Sequence, residues 1–209
     1  MRVGILALAL ALALAPVLSA RVALPIEAYG QLPNVDLIAL SPDGSQMAMA
    51  VTAQHLRQVQ VRRVGDRSLV EVIPTGTAKI RALTWAGDHH LLITQSKTAD
   101  VWGLTGPKRE WYLVLDLNLL THKPIPLLNG DVQGAGKKLN TVDGVPEVRM
   151  INGHPIAFVE GTTFPGSQGI RTLFRVDLDK RWTRREALGN EGTDGWLIDN
   201  DGAIAARVD

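Results

Sequence analysis

The stretch Ile38-Ala39-Leu40-Ser41-Pro42-Asp43-Gly44-Ser45-Gln46-Met47-Ala48-Met49-Ala50-Val51 constrains the chain more than any other, because it spells two apolar strands joined by a legible turn. Pro42 pre-sets φ for a turn, Asp43 can hydrogen-bond locally and Gly44 supplies positive φ. Met47, Met49 and Val51 fall on one face and Gln46, Ala48 and Ala50 on the other, as a half-buried hairpin requires. The pattern returns. An apolar strand, an Asp/Asn/Gly turn and a second apolar strand recur at 82–94, 148–159 and 196–208, so the markers Asp43, Asp88, Asn152 and Asp201 stand 45, 64 and 49 residues apart. Spacing of this order marks repeated supersecondary units.

Between these hairpins the remaining apolar runs complete groups of four strands. The first group takes 35–40, 47–51, 59–64 and 69–73; the second 80–85, 91–94, 111–117 and 124–128; the third 145–151, 155–159, 173–178 and 183–187. A fourth begins at 196–199 and 203–208. Alternation is cleanest in each third strand, with Val59 and Val61, then Leu113, Leu115 and Leu117, then Phe174, Val176 and Leu178. No segment sustains a helical period over the 11 or more residues that define a helix. Four-stranded antiparallel units at ~40 to 50 residues are the mark of β-propeller blades. A sandwich would not explain why the tight acidic turn always joins the first and second strands. The expected fold is therefore all-β, an incomplete propeller of about three and a half blades, at 35–76, 77–130, 145–189 and 194–209. The second-to-third-strand connections, 53–57, 95–110 and 161–171, would share one end of the blades, where binding loops usually sit.

The chain has 209 residues, 45% hydrophobic and 21% charged, which suffices for a packed core. Its 22 basic and 21 acidic side chains nearly cancel, so charge argues for no nucleic-acid partner. Cysteine is absent, excluding disulfides, a thiol nucleophile and cysteine-ligated metal. The N-terminus sets the compartment. Met1-Arg2 precedes an apolar run from Val3 to Leu18, broken by Pro16 and closed by Ser19-Ala20, the form of a secretory signal. The run is shorter than the ~20 apolar residues of a membrane span. Residues 1–20 are read as a signal peptide, with an uncleaved anchor as the alternative and the only route to a membrane. The mature chain is expected in the periplasm or outside the cell, with 21–34 as a lead-in whose prolines, Pro25 and Pro33, leave room for at most one helical turn.

The Ser-Pro-Asp-Gly turn between strands resembles the repeat in the N-terminal propeller of the prolyl oligopeptidase family of serine peptidases, which includes dipeptidyl and acylaminoacyl peptidases, and that of the Tol translocation propeller. The lead-in Pro25-Ile26-Glu27-Ala28-Tyr29-Gly30-Gln31-Leu32-Pro33 is similar to the start of the mature chain in secreted bacterial members of that family. So are Ile80-Arg81-Ala82-Leu83-Thr84-Trp85, Gly106-Pro107-Lys108-Arg109-Glu110-Trp111 and Leu173-Phe174-Arg175-Val176-Asp177-Leu178-Asp179. The resemblance spans residues 25–209. It implies the noncatalytic propeller portion of an exported peptidase, gating or screening peptide substrates for a C-terminal α/β-hydrolase domain, truncated before that domain.

Catalysis would need a Gly-x-Ser-x-Gly elbow on a strand-to-helix turn. The nearest approach, Pro165-Gly166-Ser167-Gln168-Gly169, has Pro165 where the first Gly belongs and falls in a loop, so no catalytic residue is assigned. His89-His90 offers two side chains on opposite strand faces and no third ligand. Both read as polar turn residues. Asp199-Asn200-Asp201-Gly202 echoes a calcium loop, but Leu197 stands where the first acidic ligand belongs and no Glu closes the loop, so it reads as a hairpin turn. Neither a metal nor another cofactor is expected. Trp85, Trp111, Trp182 and Trp196 adjoin strands and are expected between blades, whereas Trp102 shares the long loop with Lys108, Arg109 and Glu110. Those four are the candidate contacts for a substrate or partner. The rival reading is a free-standing periplasmic propeller-type module that binds proteins; reading frame downstream that encodes a nucleophile elbow would favour the peptidase.

Overall fold

The computed structural model describes residues 25–30, 33–53, 56–100, 106–130, 132 and 135–209. By contact the chain separates into two units, Met1–Leu32 and Pro33–Asp209. The described part of the first holds a single 3-10 segment, Ile26–Gly30, the one turn that the flanking prolines allow. The signal-like residues 1–20 lie outside the described residues. Among the described residues no helix is long and apolar enough to cross a membrane.

The second unit is all-β, built of open antiparallel sheets. Strands β1 (Val35–Leu40), β2 (Gln46–Ala53), β3 (Leu56–Arg63) and β4 (Leu69–Pro74) form a four-stranded meander in chain order. A second meander runs β5 (Lys79–Ala86), β6 (His90–Ala99), β7 (Arg109–Asn118) and β8 (Lys123–Pro126). The short strand β9 (Lys138–Val142) follows. Then come β10 (Glu147–Ile151), β11 (His154–Thr163), β12 (Ile170–Asp177) and β13 (Trp182–Leu188), again paired in order, and the hairpin β14 (Gly195–Ile198) with β15 (Ile204–Val208).

β9 is absent from the sequence expectation, which leaves 131–144 as a link between groups. Val142 stands opposite Tyr112 of β7 and also opposite Gly161 of β11, so one residue joins two ladders. The second and third meanders thereby become one nine-stranded sheet. Gly161 permits the junction: a Cβ there would lie 3.0 Å from Leu128 Cδ1, 3.1 Å from the Thr141 carbonyl and 3.2 Å from the Phe174 ring.

The repeated turn forms as its residues dictate. Asp43 Oδ1 accepts from Ser41 Oγ at 2.6 Å and from Ser45 N at 3.0 Å, Gly44 takes φ +72°, and Gln46 N donates to Ser41 Oγ at 3.0 Å. The Ser41 bond, seconded by Ser45, holds the Asp43 carboxyl down to about 2. Asp199 closes the last hairpin similarly, accepting from Asp201 N at 3.0 Å and Ala203 N at 2.8 Å. That stretch is a turn, as expected.

Among the described residues three hydrophobic cores lie between successive groups. Ala48, Ala50, Val59, Val61 and Ile73 of the first group pack with Leu91, Ile93 and Leu117 of the second. Leu92, Val114, Leu127 and Leu128 of the second pack with Ala157, Val159, Phe174, Val176 and Leu178 of the third. Ile156, Phe158 and Leu173 of the third pack with Trp196 and Ile198 of the final hairpin. A strand alternates its side chains between two faces, so β6 sends Leu91 and Ile93 to one core and Leu92 to the next. β11 divides Ile156 and Phe158 from Ala157 and Val159 in the same way. Each middle group is therefore buried on both faces, and its central strands read as near-continuous apolar runs.

The first strands and their turns also touch in sequence order. Asp43 N donates to Asp88 Oδ1 at 3.0 Å, Trp85 Nε1 to the Ala39 carbonyl at 3.1 Å, and Arg149 to the carbonyls of Asp199 and Ile198 at 2.9 and 2.8 Å.

Candidate functional site

At the end of the strands away from the tight turns, β7 and β11 diverge around β9 and leave a cleft of about 670 Å³. A volume of this size lies within the ~300–1,000 Å³ range of small-ligand sites. Its wall is aromatic: Trp111 and Tyr112 from β7, Phe164 from the connection after β11. Trp111 is oriented by its indole N–H, which donates to the Ala99 carbonyl at 3.0 Å. Phe164 is held through its backbone N–H, 2.8 Å from the Lys137 carbonyl. Gly169 leaves room for it, since a Cβ there would lie 3.3 Å from the Phe164 ring and 2.8 Å from Thr162 Cγ2.

Two arginines face this cleft with different constraints. Arg171 donates to Glu160 Oε2 at 2.8 Å, with Asp143 Oδ2 at 3.8 Å; the Glu160 bond outweighs burial and raises its pKa. Arg109 is exposed, and among the described residues it has no ion pair. Glu110 lines the cleft too, but its carboxylate is occupied by Arg81, by Ser96 Oγ at 2.9 Å and by Lys79 Nζ at 3.4 Å. The Arg81 bond, then that of Ser96, lowers its pKa to about 2. The cleft thus offers three rings, one tethered cation and one untethered cation.

Of the four candidate contacts, Arg109 and Glu110 line the cleft, Lys108 is exposed beside it without lining it, and Trp102 lies outside the described residues. Glu110 is a brace between β7, β5 and β6 rather than a free acid. Trp111, which the strand pattern places between groups, lines the cleft instead, because its strand opens onto β9 there. Trp85 and Trp196 do pack between groups, while Trp182 is 42% exposed, with the Arg184 guanidinium 5.5 Å from its ring centroid. Ser167 is an exposed bend residue in the β11–β12 connection and bonds no histidine among the described residues.

The opposite end of the strands carries a polar seam. His89 is exposed, as a turn residue should be, but His90 opens β6 and is 2% exposed. His90 Nδ1 lies 2.8 Å from Asp116 Oδ1, and Nε2 lies 3.3 Å from Asp179 Oδ1 and from Asn118 Nδ2. Burial opposes its charged form, yet the Asp116 and Asp179 carboxylates outweigh burial and raise its pKa. The third group repeats the frame. His90 stands opposite Asn118 and Leu92 opposite Asp116; correspondingly Ile156 stands opposite Asp177. Just beyond that pair, His154 Nδ1 lies 2.9 Å from Asp179 Oδ2. Each third strand carries the signal Asp-Leu-Asn/Asp, at 116–118 and 177–179, but the histidine partner becomes evident only once the register is known.

Compared with known proteins, the chain matches no protein-family model and no curated protein.

Proposed function

We propose that this chain is a propeller-type, noncatalytic peptide-binding module, and that it serves as the substrate-screening portion of an exported serine peptidase of the prolyl oligopeptidase kind. The observation that carries the reading is the placement of the three cores. Each lies between groups consecutive in the chain, and the two middle groups contribute alternate residues to the cores before and after them. A two-sheet sandwich concentrates its core between two inner faces; radially stacked blades need one core per junction, with equivalent turns following one another, as Asp43 follows onto Asp88. The Ser-Pro-Asp-Gly turn and the lead-in support the peptidase affiliation. The aromatic cleft among the long connections supports the binding role.

No group in the described residues supplies an activated nucleophile together with a base and oxyanion donors, which hydrolysis requires. The test is a titration of Trp fluorescence with proline-containing and N-acylated peptides, run beside a panel of aminoacyl, Xaa-Pro and acylaminoacyl chromogenic substrates. Saturable binding is expected, weakened ~30-fold in Trp111→Ala, since a central aromatic anchor contributes ~2 kcal/mol. No turnover is expected. Affinity unchanged in Trp111→Ala and Arg109→Ala would remove the cleft as the binding site, and turnover lost in Ser167→Ala would reveal a nucleophile.

A further inference from the structure

We infer that His154, Asp177 and Asp179 form a binding site for one divalent transition-metal ion, at the end of the strands remote from the aromatic cleft. Their donor atoms, one imidazole nitrogen and two carboxylate oxygens, all lie within 4.8 Å of one another. The arrangement follows from pairing. Asp177 ends β12, Asp179 follows it in the β12–β13 turn, and His154 opens β11, where Ile156 stands opposite Asp177; the His154 imidazole Nδ1 lies 2.9 Å from Asp179 Oδ2. Around a tetrahedral ion donors ~2.1 Å from the metal stand ~3.4 Å apart, so the widest pair must close by up to ~1.4 Å. His154 and Asp179 can supply it, their side chains being 42% and 43% exposed.

A second observation concerns the charge balance of Asp177. The Asp177 side chain is only 10% exposed, and its Oδ1 accepts from Lys180 N at 2.9 Å. Among the described residues its Oδ2 accepts no hydrogen bond; it faces only the Lys180 ammonium at 3.6 Å, on a side chain 64% exposed. A buried carboxylate held by so mobile a counter-charge is poorly compensated. The second group provides an internal comparison. There the same frame holds His90, Asp116 and Asn118, the second carboxylate is an amide, and the imidazole bonds Asp116 directly while its Nε2 reaches Asp179 at 3.3 Å. Where the frame carries two acids, the charge of a metal ion balances them. Asp177 also borders a recess of about 140 Å³, shared with Asp116 and Arg181, where waters can complete the coordination. One nitrogen with two carboxylate oxygens suits zinc or manganese better than magnesium, which prefers oxygen alone.

The experiment is calorimetric titration of the chelator-treated chain with Zn²⁺, Mn²⁺ and Mg²⁺ as chloride salts. One equivalent of Zn²⁺ or Mn²⁺ should bind, at least ~10-fold more tightly than Mg²⁺. Affinity should fall at least ~10-fold in His154→Ala and in Asp179→Asn. His154 is half-exposed, so its removal should leave the fold intact, as circular dichroism can verify. His122→Ala controls for surface imidazoles: His122 pairs with Glu71 at 2.7 Å elsewhere, and its loss should change nothing. Absence of saturable binding, affinity indifferent to His154→Ala, or affinity lost with His122→Ala would each overturn the assignment. Peptide binding at the cleft is untouched by any of these results.

Discussion

Phe174→Ala tests whether the core between the second and third groups holds the molecule together. Phe174 is 0% exposed in β12, with its ring over the backbone of Gly161 and among buried residues drawn from both groups. Burial of a phenyl side chain contributes ~1.5–3 kcal/mol. The cavity left between two meanders joined into one sheet through β9 cannot collapse easily, which brings the expected cost to ~3–5 kcal/mol. For a unit of this size each kcal/mol shifts the melting midpoint by ~2–4 °C, so a drop of ~6–20 °C should follow. Urea unfolding monitored by circular dichroism gives the free energy directly, provided the slope is unchanged. Trp182→Ala supplies the contrast. It also deletes an aromatic ring, but one that is 42% exposed and stacked only on Arg184, so its cost should stay under ~1 kcal/mol. A Phe174→Ala cost no larger than that of Trp182→Ala would refute the placement of this core.

Two further variants probe the turn end and the cleft end. Gly202→Ala should destabilise by ~1–3 kcal/mol in the same urea assay, because φ is +83° and the new Cβ would fall 2.3 Å from Ile151 Cδ1 and 3.0 Å from the Phe158 ring; a neutral result would refute that contact. The folded-state pKa of Glu110 is depressed from 4.5 to about 2, so its contribution to stability is present above pH 4.5 and is lost as pH falls toward about 2. Glu110→Gln should therefore flatten the wild-type loss of stability across that window, and parallel curves for the two proteins would disprove the Arg81 brace.

The strand pattern was readable because turn chemistry and alternation are local. Residues 35–40 and 69–73 announce themselves through Pro42-Asp43-Gly44 and Gly65-Asp66-Arg67, and the structure puts strands there. β9 is not readable, since Lys138–Val142 is five residues long with little apolar alternation and pairs through Val142 and Lys138 with partners distant in the chain. The same limit hid the His–Asp frames. His154 precedes Asp179 by a full hairpin, and nothing in the intervening residues states that they will meet. His90 reads as a turn residue beside His89, and the Asp179 carboxylate it meets comes from the next group. Trp111 sat in an alternating strand and so looked internal, and only the divergence around β9 turns its ring to the cleft.

The double pairing of Val142 bears on how the molecule opens. Hydrogen-bonded ladders run without a break from β5 to β13 through β9, whereas among the described residues the β1–β4 sheet meets its neighbour through side chains and isolated bonds such as that from Trp85 to Ala39. Amide protons of the second and third groups should therefore exchange with solvent in one cooperative event, and those of the first sheet in a separate, lower-energy opening. By that partition the first sheet is a foldon of its own, and the wall of the aromatic cleft belongs to the more slowly exchanging one.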